Sequence, residues 1–196
     1  MKKKQRWIQL TLISIGLFLF VVTYLYYPRM YEDKLLKDQS ITEDFEKILS
    51  QGESTTFENL EYKGIYDLDK PFKVKSEKAY ILNEDPDIVY MQNMHVILYL
   101  NDERIVNITS DKGKYNKVTY DCFFEQNVKA TDGSTNIFAE NMDLLATKNF
   151  VIIYNNVNLD STTGYLLADK IDYDFETKNF KVSMFDDKAI KMKVIQ

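Results

Sequence analysis

Two patterns of apolar and polar positions divide the chain. From Trp7 to Tyr27 the sequence runs WIQLTLISIGLFLFVVTYLYY, 21 residues without a charge. A helix of that length rises about 30 Å, the thickness of a hydrocarbon core. One transmembrane helix is therefore predicted over 7–27, with Trp7 at one end and Tyr24, Tyr26 and Tyr27 at the other as interfacial anchors and Pro28 as a stop. From residue 56 to 196 the pattern changes to a period of two, the mark of half-buried strands. Between them, residues 28–55 carry a weak helical pattern (Leu35, Leu36, Ile41, Phe45, Ile48, Leu49) among many charges and read as a spacer.

The strand region repeats itself. A small residue followed by an acid recurs as Ser76-Glu77, Ser110-Asp111, Ala139-Glu140 and Ala168-Asp169, at spacings of 34, 29 and 29. Asparagine followed by an aliphatic residue or methionine recurs as Asn59-Leu60, Asn93-Met94, Asn127-Val128 and Asn156-Val157, at spacings of 34, 34 and 29. Three times the asparagine follows the small residue by 17 positions. Two markers in step define a structural repeat. The five-residue difference falls between an asparagine and the next small residue, and near Asn101-Asp102-Glu103 it predicts a longer hairpin rather than an added element.

Within each unit, apolar residues stand three and five positions after the small one: Ala79 and Ile81, Gly113 and Tyr115, Met142 and Leu144, Ile171 and Tyr173. Phe124, Val128 and Ala130 share one parity, as do Ile153 and Val157. Turn signals at Asn83-Glu84-Asp85-Pro86, Thr131-Asp132-Gly133-Ser134, Thr162-Thr163-Gly164 and Thr177-Lys178-Asn179 separate the strands. The expected fold is all-β: an antiparallel, repetitive β-jelly roll or curled sandwich of about two strands per repeat, preceded by the N-terminal helix. A parallel β-helix would have shorter coils and no place for hairpin turns. The predicted inward set is Ile81, Tyr115, Phe124, Val128, Met142, Leu144, Val157, Ile171, Tyr173, Phe180 and Val182. These positions either line a ligand cavity or fill a closed core, since both produce the same alternation. The last strands, with Phe180, Val182 and Met184, lie at the open end of the array, where an unpaired edge invites another chain's strand.

Charge adds direction. Residues 1–28 hold four of the chain's 25 basic residues and none of its 30 acidic ones, so the remainder carries 21 basic against 30 acidic, a net −9. The cations at Lys2, Lys3, Lys4 and Arg6 keep residues 1–6 cytoplasmic and send the rest across the membrane. A cleaved signal peptide is the rival, but the exit YLYYPRMYED lacks a small-residue cleavage site. An acidic body without a basic stripe argues against nucleic acid.

Candidate chemistry is sparse. Cys122 is the single cysteine and reads as a small buried hydrophobe, and the single histidine, His95, has no catalytic constellation around it. Metal-ligand clusters, phosphate-cradling glycine loops and nucleophile elbows do not occur, so neither an enzyme nor a cofactor is expected. The functional classes left are a lipid-binding module, an envelope scaffold tethering partners through its strand edge without lipid cargo, and a glycan-binding adhesin, for which exposed aromatic loop tips are wanting.

The short basic N-terminus and single span, FENLEYKGIYDLDKPFKVKSEKAYIL at 57–82, ITSDKGKYNKVTYDCFFEQNV at 108–128, and the later AENMDLL and ADKIDYD together resemble the LptC family, with its OstA-like relatives. The resemblance covers nearly the whole chain. It implies a single-pass inner-membrane protein with a periplasmic jelly roll that accepts lipopolysaccharide from an ABC transporter, holds the acyl chains inside the β domain, and pairs through its C-terminal edge with a soluble periplasmic partner of similar fold. It also implies that the helix associates with the transporter's membrane subunits.

Overall fold

The computed structural model describes residues 54–66, 70–100, 103–185 and 190–194. The expected transmembrane helix at 7–27, the cytoplasmic residues 1–6 and nearly all of the 28–55 spacer lie outside the described residues. No helix among the described residues is long and apolar enough to cross a membrane.

The alternation after residue 53 becomes ten strands: β1 (Ser54–Tyr66), β2 (Lys70–Leu82), β3 (Ile88–Tyr99), β4 (Ile105–Asn116), β5 (Cys122–Thr131), β6 (Thr135–Leu145), β7 (Phe150–Ser161), β8 (Gly164–Asp174), β9 (Phe180–Ser183) and β10 (Lys191–Val194). They form one antiparallel sheet in chain order from β1 to β8, and β9 and β10 take separate stretches of β8, at 170–173 and 164–167. The turn signals fall where chain direction reverses. At Thr131–Thr135, for example, the Asp132 carboxylate accepts from the backbone amides of Ser134 and Thr135 at 3.0 and 2.8 Å. Those bonds, the one from Thr135 first, hold its pKa down at about 2.

The sequence repeat has a direct structural meaning. The residue after each marker asparagine lies directly across from the small residue of the next strand: Leu60 with Ser76, Met94 with Ser110, Val128 with Ala139, Val157 with Ala168. Carried through the register, these pairs form one line across β1–β8 on the inner face, large and small in alternation. The four small residues are buried. At this line β2, β3, β4, β6 and β8 switch the parity of their inward side chains, whereas β5 and β7 keep theirs across two left-handed residues, Gln126-Asn127 and Asn155-Asn156. In β4, Ile108 and Ser110 face in before it, and Gly113 and Tyr115 after it. The ladder shifts register there in four strand pairs. Left-handed backbone marks the line on the odd-numbered strands β1, β3, β5 and β7, at Asn59 (φ 52), Asn93 (φ 51), Asn127 (φ 52) and Asn156 (φ 57). Asparagine is among the few side chain-bearing residues that adopt that region readily, because its short polar side chain can hydrogen-bond locally. The acid of the other marker then has a partner: Asn93 donates to Glu77, and Asn127 Nδ2 donates to Asp111 at 2.6 Å.

The predicted long hairpin near 101–103 is the β3–β4 connection, where the amide of Leu100 donates to the Arg104 carbonyl at 2.9 Å. The sheet is one continuous ladder rather than two separate sheets, because each connection from β1 to β8 is a hairpin between neighbours. It rolls over itself: Tyr62 of β1 lies 5.3 Å, ring to ring, from Tyr115 of β4, and Phe72 of β2 lies 5.8 Å from Tyr120 in the β4–β5 turn. The interior holds a single large apolar cluster drawn from β2 to β8. The expected antiparallel sheet folded over an apolar interior is thus present, with a jelly-roll-like curl.

Candidate functional site

Inward side chains do not fill the roll completely. A cavity of about 520 Å³ opens at the C-terminal end, where Leu98 of β3, Val106 and Ile108 of β4, and Ala130 of β5 face Val151 and Ile153 of β7 and Leu166 and Ile171 of β8. Phe180 of β9 and Met192 of β10 stand on its rim, 68% and 67% exposed. Nearly every lining group is apolar, with Ser161, Thr163 and Lys193 the polar side chains at the edge. A second cavity of about 330 Å³ shares Leu98, Leu100, Leu144, Tyr173 and Phe175 with the first, so the two adjoin. Arg104 and Lys178 border this second space. An apolar hollow of this size with few polar groups suits a flexible hydrocarbon ligand, each CH₂ of which gains about 0.8 kcal/mol on burial.

Of the predicted inward set, Met142, Leu144, Ile171, Tyr173 and Phe180 meet around the larger cavity. Tyr115, Phe124, Val128 and Val157 are almost wholly buried and line neither cavity. Ile81 and Val182 are half-buried against the main core and also line neither. On the expected partner edge, Phe180 pairs with Tyr173 and Val182 with Ile171. Met184 falls just past the end of β9, half-buried, as the chain leaves the ladder and the Phe185 amide donates to Asp169 at 2.7 Å. Sequence reading missed Leu98, Leu100, Val106, Ile108, Ile137 and Leu159 as lining residues. The alternation Val96, Leu98, Leu100 before the β3–β4 turn carried the signal for two of them.

Reactive groups stay quiet. The Cys122 thiol borders the smaller cavity but is fully buried, and burial pushes its pKa up, away from the thiolate. Burial likewise pushes up the Tyr115 hydroxyl, with the neighbouring Tyr62 adding to the effect. His95 shares a 3.1 Å hydrogen bond with Asn107 on the outer face, away from both cavities. Among the described residues, no three His, Cys, Asp or Glu side chains gather as a metal site.

A rolled antiparallel meander around an open apolar cavity defines the class, a β-jelly-roll-like module built around space rather than around reactive groups. The chain belongs to the family Lipopolysaccharide-assembly, LptC-related, whose profile matches residues 29–165. Membership gives it a role in lipopolysaccharide assembly. Among solved structures, the chain is similar to LptH of Pseudomonas aeruginosa, the LptA-homologous periplasmic component of its lipopolysaccharide transport device, with 15% identity over 64% of this chain and 95% of that one, at a TM-score of 0.49. No curated protein matches the chain.

Proposed function

We propose that this protein is an inner-membrane-anchored lipopolysaccharide carrier. Its span at 7–27 keeps the N-terminus cytoplasmic and the β domain periplasmic. The domain receives lipopolysaccharide from an inner-membrane ABC transporter and passes it to a soluble periplasmic jelly-roll partner that pairs beside β9, at Phe180, Val182 and Met184. The acyl chains occupy the cavity lined by Met142, Leu144, Ile171, Tyr173 and Phe180. The observation that carries this reading is the 520 Å³ apolar cavity opening at the end of the sheet where the last strands leave β8 unevenly covered. The family's place in lipopolysaccharide assembly supplies the cargo.

A photo-reactive amino acid at Met142 or Tyr173, activated in cells, is expected to give lipopolysaccharide adducts. The same group at Val118, in the exposed β4–β5 turn, is expected to give none. Absence of adducts from every cavity-lining position would remove the lipid cargo and leave a scaffold that only tethers partners.

A further inference from the structure

The outer face of the sheet near the cavity mouth carries a second pattern. Through the register, Lys129 of β5, Phe138 of β6, Asn158 of β7, Leu167 of β8 and Lys191 of β10 form one row on the outer surface. The next row toward the hairpin ends contains Asn136, Asp160, Tyr165 and Lys193. Phe138, Tyr165 and Leu167 are exposed by 42%, 43% and 36%, although outward positions on a solvated face would ordinarily be polar. Lys129 lies over the Phe138 ring, its Nζ 5.7 Å from the centroid. The two rows thus present three apolar side chains among three lysines and one acid, Asp160, on a domain whose residues 29–196 are net acidic. Tyr165 and Lys193 also border the larger cavity, so the patch runs up to its mouth.

We propose that this face docks on the surface of an anionic phospholipid membrane. The chemistry fits: aromatic and leucine side chains enter the headgroup boundary while lysines, with long apolar stems, reach anionic phosphates. Continuity with the cavity mouth would set the opening against the lipid surface. The inference needs no lipopolysaccharide in the cavity and stands or falls independently of the cargo reading.

The test uses the full chain with Asn158→Cys in the middle of the outer row, carrying an environment-sensitive fluorophore. Native Cys122 is 1% exposed and stays unlabelled in the folded protein. In vesicles of phosphatidylethanolamine with phosphatidylglycerol, the label is expected to shift to the blue, and high salt or the combined Lys129→Glu, Lys191→Glu and Lys193→Glu changes are expected to abolish the shift. Phe138→Ser is expected to reduce it. A label at Val118→Cys, in the β4–β5 turn, is expected to show no shift. The proposal is overturned if the Asn158 label does not respond to phosphatidylglycerol, if it shifts equally in phosphatidylcholine, or if Val118 shifts as much. A shift that rises with protein concentration in detergent alone also overturns it, because a second copy would then be covering the face.

Discussion

Around Tyr62, Phe72 and Tyr115 the inward side chains of β1, β2 and β4 close on one another, whereas those of β7 to β10 leave space between them. In the closed region the rings lie 5.3 to 6.5 Å apart, and Val74, Ala79, Met91 and Tyr115 have no exposed surface, with Phe72 and Val96 at its border on the smaller cavity. In the open region, Phe180 and Met192 have the inward parity of their β8 partners yet remain two-thirds exposed. The same alternation along a strand serves both regions. What differs is the opposing surface: three aromatic rings in one place, the thinly covered end of the sheet in the other. A carrier needs both, a region that holds the roll together and a region whose emptiness costs little until filled.

The sharpest way to break this comparison is to remove volume from the closed region. Phe124→Ala is expected to lose about 3–5 kcal/mol of stability, read as a lower urea midpoint with an unchanged slope. A cost no greater than that of a cavity-rim change would erase the distinction. Adding volume is the next test. A Cβ on Gly113 would collide with Met94 Sδ and meet the Phe123 carbonyl oxygen at 2.9 Å, and that oxygen belongs to the neighbouring strand's backbone. Gly113→Ala is therefore expected to cost roughly 1–3 kcal/mol, measured in the same way.

Acid probes the hairpin that opens the second half of the sheet. Asp132 has its pKa lowered from 3.8 to about 2, by the Thr135 amide first and then by Ser134 and Arg104. A depressed carboxylate contributes stability that is fully present above 3.8 and is lost as pH falls through 2. Asp132→Asn is expected to remove that acid dependence and to lower the neutral-pH melting temperature by a few degrees, on the order of 1 kcal/mol. The smallest effect on folding is expected at the rim. Phe180→Ala should change stability by less than about 0.5 kcal/mol while reducing lipopolysaccharide adducts from Tyr173, its cross-strand neighbour. Equal adduct yields would place the acyl chains elsewhere.

Much of the fold was legible because repetition and alternation are local. Ser76, Ser110, Ala139 and Ala168, with the asparagines in step, marked the repeat before any strand was paired, and the register then joined them into one line. The spacing of three and five after each small residue already contained the parity switch of β2, β4, β6 and β8, while the left-handed asparagines on the strands between, two of them bonded to a cross-strand acid, emerged only with the backbone angles. The candidate site was half legible. Met142, Leu144, Ile171 and Tyr173 line the cavity, while Phe124 and Val128 carry the same pattern and fill the core. Alternation tells which face a residue takes, and only the three-dimensional roll tells what stands opposite. Leu98 and Ile108 face β7 and β8 from strands some fifty residues earlier, a relation that no local period encodes.

The divided last strand has a consequence for self-assembly. Among the described residues, β1 offers a 13-residue edge interrupted only at left-handed Asn59, along which a meander could add copies of itself end to end. At the other end, β9 and β10 offer only four residues each. Between Ser183 and Lys191 the chain advances eight residues while the paired positions on β8, Lys170 and Leu167, move by three. A straight edge cannot follow that surplus without losing its ladder. An incoming straight strand, another copy's β1 included, would therefore find no continuous ladder longer than four residues there, a geometry that disfavours end-to-end filaments of this chain.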